Sequence, residues 1–252
     1  MDHHTLAFAA RPRQRSCHGS PRHWSPLDDD RRACSGTSDP SADRRVDPML
    51  ACEVAAAYLD APRRRDPLTE AAYAELVTES DRLFRRITST ALPHSVRVAF
   101  TACPAPYHDA DELIDSVRVD RVLEVTTVAS DGDRRHPLMG NEPGGAFDRF
   151  RAVHDILGHA RLRLGFDRDG EFAVWLSQER FHGPLARRAL ATELHGQHSV
   201  RWTTGHPIEC KAVLLEIELL RRTRLRGAGR SMRLPAVARA GHDREVRRRS
   251  QP

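Results

Sequence analysis

Two histidines five residues apart, His154 and His159, stand in the run Arg151-Ala152-Val153-His154-Asp155-Ile156-Leu157-Gly158-His159, with Glu171 and Glu193 downstream. They belong to a cluster, because seven of the 14 histidines fall between His136 and His206. Two imidazoles and a carboxylate are the donors that leave three positions of an octahedral Fe(II) open to dioxygen and a substrate. On zinc the same donors hold a water and lower its pKa for hydrolysis.

The spacing resists a simple helix. At 100° per residue, His154 and His159 point about 140° apart, so they converge on one ion only if the helix is distorted or long rotamers reach across its edge. Gly158 beside His159 offers room for such a distortion. Asp155 and His159, four apart, share a face, so Asp155 either orients His159 or ligates directly. Further on, Glu193, Gly196, Gln197 and Val200 follow helical spacing, which puts Glu193 and Gln197 on one face and His195 and His198 on another. A buried Glu193 and Gln197 would need a cation or hydrogen bonds. Glu171, Trp175, Gln178 and His182 make a second mixed stripe, of the kind that lines a pocket.

The segment His154 to His159 is similar to the H-x-x-x-G-H iron motif of the aromatic amino acid hydroxylases. In those enzymes the third ligand is a glutamate a few tens of residues later, and the resemblance implies that Glu193, 34 residues past His159, takes that role. The metal set so implied is His154, His159 and Glu193, with Fe(II) as the ion and zinc or manganese as alternatives. Glu171, Gln197 and Asp155 are the catalytic candidates. The chain lacks the proline that follows the second histidine in those enzymes and any recognisable pterin segment, so substrate and pterin do not carry over. A longer stretch, from His136-Pro137-Leu138 through Phe150 to Asp155, Gly158-His159-Ala160, Gly165-Phe166, Gly170-Glu171, Trp175, Thr192-Glu193 and Gly196-Gln197, resembles an uncharacterised domain of actinobacterial and large phage proteins. That resemblance implies a family and no activity.

The elements that must position these groups can be read from caps and periodicity. Leu50, Val54, Ala55 and Tyr58 mark a short helix beginning near Met49, which is also a candidate biological start. Asp66-Pro67 opens a helix to about Thr88 with a cap and a first-turn proline. Alternation over 95–100 predicts a strand, Asp109 with Glu112 predicts a capped helix through Val117, and the Val- and Thr-rich 119–128 predicts a second strand. Residues 129–145 read as a loop, long enough to suggest a functional role. From Ala146 the chain is helical. One helix carries Phe147, Phe150, Val153, Ile156 and Leu157; Asp169 caps a second to about His182. A third runs from Leu185 to about Arg201, and His206-Pro207 starts a last one through Leu220. The expected fold is α+β and predominantly α-helical, a small two-strand N-terminal portion packed on a C-terminal helical bundle, spanning 49–225 with the site in 136–202.

Residues 1–48 show no apolar period and are expected to be a disordered extension, as are 226–252. The net charge of +5 misleads until it is divided: residues 221–252 hold 11 arginines against Asp243 and Glu245, a net of +9, and the rest of the chain is at −4. Nucleic acid is therefore a candidate partner only through the Arg-rich 221–252, which has neither a groove-reading helix motif nor interleaved aromatics. No apolar run suits a membrane helix or a secretory signal, so a cytoplasmic location is expected. The five cysteines are scattered and form no C-x-x-C pair, and no P-loop or dinucleotide fingerprint occurs. Two function classes follow. One is a mononuclear metalloenzyme acting on a small molecule, with an iron oxygenase or a zinc or manganese hydrolase as its variants. The other is a non-catalytic module whose Arg-rich tail binds nucleic acid or protein.

Overall fold

The computed structural model describes residues 48–220 apart from 64–65, 131–134, 207–208 and 217–218. The expected N-terminal extension up to residue 47 and the Arg-rich 221–252 lie outside the described residues. The elements are α1 (Pro48–Asp60), α2 (Pro67–Thr88), β1 (Arg97–Thr101), α3 (Ala110–Asp115), β2 (Val122–Thr126), α4 (Ala146–His154), α5 (Arg168–Gln178), α6 (Pro184–Ala191) and α7 (Gln197–Thr204). Three π-helical turns are spliced into this series, at Ser116–Asp120, Asp155–Ala160 and Thr192–Gly196. The fold is mostly helical with a small two-stranded sheet. No described helix is long and apolar enough to cross a membrane.

Local chemistry accounts for the starts. The Asp66 side chain accepts from Thr69 N at the head of α2, with Pro67 in the first turn, and Asp109 accepts from Glu112 N at the head of α3. Such caps satisfy amide donors that a helix leaves open. The two strands pair in parallel, Arg97 opposite Val122 through Thr101 opposite Thr126. Parallel pairing needs a crossover, and α3 with its π-turn supplies it. Arg121, in the left-handed region at φ 58°, turns the chain from that crossover into β2.

Two apolar clusters meet at α4. The larger gathers Leu50, Val54 and Tyr58 of α1, Tyr73 and Leu76 of α2, Trp175 of α5 and Leu190 of α6, and takes in Phe147 and Phe150 from α4. The smaller joins Leu83 and Ile87 to Leu123 and Val125 of the sheet, and takes in Ala152, Val153, Ile156 and Leu157 from the other side of α4 and its π-turn. Helices α1 and α2 thus pack with α7, α4 and α6, so the bundle draws on both ends of the described chain rather than on its C-terminal half alone.

Three expectations need correction. The second helix of the site is capped by Asp167, whose carboxylate accepts from Gly170 N, and Asp169 lies inside its first turn; the helix ends at Gln178. The helix expected from Leu185 to Arg201 is α6 and α7 with a π-turn between them. The last expected helix is absent over 209–216, which is irregular and extended. Its apolar run is short, and burial alone does not distinguish a helix from an extended segment. Tertiary partners hold it: Leu215 N donates to Thr192 Oγ1, Lys211 N donates to Tyr58 Oη at 2.9 Å, and Lys211 Nζ donates to Leu59 O at 2.8 Å and Tyr58 O at 3.2 Å. A lysine at the carbonyl end of α1 also complements the helix dipole.

Gly158 sets how closely the π-turn after α4 approaches α5. A Cβ at this position would collide with Val174 Cγ1, and both residues are tightly packed. We expect Gly158→Ala to destabilise the fold by about 1–3 kcal/mol through overpacking, measured by urea unfolding, and Val174→Ala in the same chain to restore most of the loss. An unperturbed Gly158→Ala protein would refute this account.

Candidate metal centre

The π-turn at Asp155–Ala160 changes the geometry that an ideal helix imposes. Its hydrogen bonds close from i to i+5, so residues five apart lie one above the other, and His154 and His159 meet with their Nε2 atoms 3.1 Å apart. Glu171, from the first turn of α5, brings its Oε2 to 3.2 Å from His154 Nε2 and 3.4 Å from His159 Nε2. His198, one residue into α7, places Nδ1 3.0 Å from the same oxygen. One ligand atom each of His154, Asp155 and His159 also lies within 4.8 Å of the others.

The tautomers follow from the outer partners. His154 Nδ1 is 3.1 Å from Gln178 Oε1, and His159 Nδ1 is 3.0 Å from Leu164 O. Both partners are carbonyl oxygens, so each Nδ1 must carry the proton and donate it. Neutral rings so fixed turn two Nε2 lone pairs toward each other across 3.1 Å, with a carboxylate oxygen beside them. Acceptors facing one another repel unless a cation or a proton sits among them. Glu171 Oε2 and His198 Nδ1 are buried and lack a well-formed hydrogen bond. The separations suit a cation: ligand atoms about 2.0–2.2 Å from one ion stand roughly 2.8–3.6 Å apart at octahedral or tetrahedral angles. The donor set therefore fits a divalent metal ion, with His154, His159 and Glu171 on one triangular face and His198 beside it.

Without an ion, the same carboxylate favours a proton on the imidazoles, the positive charge that a bound ion would replace. Burial alone would push the His159 imidazolium down, but the Glu171 carboxylate, with Asp155 behind it, lifts its pKa to about 9. Burial likewise opposes the charge on Glu171, yet His198 and His159 hold that carboxyl well below its ordinary range. Asp155 is shifted upward, chiefly by burial, against the pull of His154, His159 and Arg151. Its carboxylate makes no hydrogen bond among the described residues and lines the adjoining cleft.

Glu193, which the hydroxylase resemblance makes the third ligand, is engaged by other groups. Tyr73 Oη donates to its Oε1 at 2.6 Å, His136 Nε2 stands 3.2 Å from the same oxygen, and Gln197 Nε2 donates to Oε2. His136 Nδ1 accepts from Leu138 N and Met139 N, so its proton is on Nε2 and is donated to Glu193. Three neutral donors thus satisfy this buried carboxylate, and Glu171 takes the place beside the imidazoles. Glu193 and Gln197 still line the same cleft as His154, His159 and Glu171. Tyr73, His136 and His198 are the residues that sequence reasoning missed. His136 lies in the histidine-rich window. His198 is five residues past Glu193 across the Thr192–Gly196 π-turn, a phase that an unbroken helix conceals.

The cleft has a volume of about 450 Å³, within the range of small-molecule sites. No family model, curated protein or solved structure matches the chain, so any chemistry must be argued from these side chains.

Behind the centre, His195 stacks on Trp175 with ring centroids 4.9 Å apart and meets Phe172 edge-on. Burial, with the nearby His198, pushes its pKa down from 6.5 to about 3. A histidine whose folded pKa lies below its unfolded one leaves stability intact above pH 6.5, and stability falls as the pH drops from there toward 3. The loss approaches about 1.4 kcal/mol per pH unit well inside that window. Urea unfolding between pH 7 and 5 should show a smaller acid loss for His195→Phe than for the wild type. Parallel losses would refute the assignment.

Proposed function

We propose that the chain is a mononuclear metal-dependent enzyme acting on a small molecule, with the ion held by His154, His159 and Glu171. The observation that carries this reading is the pair of Nε2 lone pairs set 3.1 Å apart by Nδ1–H bonds to Gln178 and Leu164, with Glu171 Oε2 completing the triangle. Two histidines and one carboxylate on a single face are the ligand set of non-heme Fe(II) oxygenases. A bound ion supplies dioxygen activation if it is iron, or an acidified water if it is zinc or manganese.

The chain's own residues do the rest. Gln178 and the Leu164 carbonyl fix the ring orientations, as outer partners of ligating histidines do. Asp155, its carboxylate without a hydrogen bond among the described residues and raised toward neutrality by burial, is placed to accept or return a proton in the cleft. Glu193, held by Tyr73, His136 and Gln197, keeps a fixed negative charge in the wall. His198 Nδ1, 3.0 Å from Glu171, is a fourth donor; the hydrolytic variant requires it to stay off the ion, since a zinc with four protein ligands has no position left for water.

Metal analysis of chain purified without chelator tests the proposal. We expect close to one iron, zinc or manganese ion per chain, lost in His154→Ala, His159→Ala and Glu171→Gln and retained in Glu193→Gln. Added ion should raise the unfolding midpoint of the wild type, by about 2.7 kcal/mol of stability at a hundredfold excess over Kd, and leave the first three variants unmoved. Metal content that is the same in all five proteins would sink the assignment.

A further inference from the structure

Two arginines in the cleft form no ion-pair contact among the described residues. Arg151 lies one turn before His154 in α4, and its Nη1 donates to Thr126 O at the end of β2 at 2.7 Å. That bond fixes the guanidinium, yet its other N–H groups make no hydrogen bond or ion pair among the described residues and are not sealed off. Arg201 lies one turn after His198 in α7, is exposed, and also has no ion-pair partner among the described residues. Two other arginines, by contrast, are paired with carboxylates: Arg149 grips Asp81, and Arg63 pairs with Glu209. A half-buried guanidinium positioned by one bond, with its fork left open, matches the planar geometry of a carboxylate.

Part of the remaining wall is apolar, beside the polar Glu124, Glu193 and Gln197. Phe147 and Phe150 line it from α4, and Tyr107 comes from the loop after β1. Phe166 meets the His159 ring edge-on, with centroids 4.8 Å apart, and is partly exposed. An ion held by the cluster would offset the Glu171 charge, which leaves the two guanidinium forks, rather than the imidazoles, as the open donors facing aromatic surface, with Asp155 and Glu193 deeper in the wall.

We propose that the cleft binds a small organic anion, its carboxylate held by Arg151 and Arg201 and its apolar body against Phe147, Phe150 and Phe166. This substrate class rests on the metal-centre reading only for its place next to the reacting position; the anion site itself is built from the arginines and the aromatic wall.

The test is isothermal titration of the full chain, zinc-loaded and zinc-free, with benzoate and with its neutral isostere benzamide. We expect the wild type to bind benzoate at least about tenfold tighter than benzamide, a difference of about 1.4 kcal/mol. Arg151→Gln should abolish that preference, Arg151→Lys should keep part of it, and Arg201→Gln, at an exposed position with no ion-pair partner among the described residues, should weaken benzoate about threefold. Equal binding of the two probes by the wild type, or benzoate binding untouched by Arg151→Gln and Arg201→Gln, overturns the proposal. Zinc content of the same samples separates the two readings. If zinc binds and benzoate is indifferent to the arginines, only the anion site falls. If zinc does not bind, the metal centre falls, and the comparison in the zinc-free chain still decides the anion site.

Discussion

A helix that closes its hydrogen bonds from i to i+4 cannot bring residues five apart to one point, and the cluster at His154 and His159 depends on the local change to i+5 closure. Widening one turn costs hydrogen-bond quality and packing, so it persists only where the surroundings hold it. Here Gly158 lets the widened turn approach Val174 of α5, and Ile156 and Leu157 anchor its other side in the cluster beneath the sheet. The same device recurs at Thr192–Gly196, where it brings His198 toward Glu171 while Glu193 stays with Tyr73 and His136. Two helical defects therefore face one cleft, and α5 between them contributes the carboxylate.

The two glutamates show how environment divides similar side chains into different roles. Glu193 receives three neutral donors and is satisfied by them, whereas Glu171 meets the Nε2 atoms of rings whose Nδ1 protons are committed elsewhere. The difference lies in tautomers set one layer out. Leu138 N and Met139 N force the proton of His136 toward its glutamate, and Gln178 and Leu164 pull the protons of His154 and His159 away from theirs.

Much of the fold was legible because its signals are local. Asp66 with Pro67 and Asp109 with Glu112 announce helices through cap chemistry within four residues, and the alternation near Val98 and Val125 announces the strands. The site was legible in composition, through the histidine window, and in the pairing of His154 with His159. The choice of carboxylate was not, because it depends on which helix a π-turn rotates toward the cluster, and a π-turn has no residue signature of its own. His198 was hidden for the same reason. The extended course of 209–216 was hidden because its apolar run is compatible with either conformation, and contacts made across the chain, by Tyr58 and Thr192, decide between them.

Those contacts also bear on how the molecule can be followed in solution. Lys211 is the chain's only lysine, and its ammonium lies on the backbone carbonyls of Tyr58, Leu59 and Ala61 at the end of α1. Amine-directed reagents thus find a single side-chain target, and that target is tethered to the seam where the first described helix meets the extended segment behind Glu193. The reactivity of one ε-amine is a built-in gauge of whether that seam is closed.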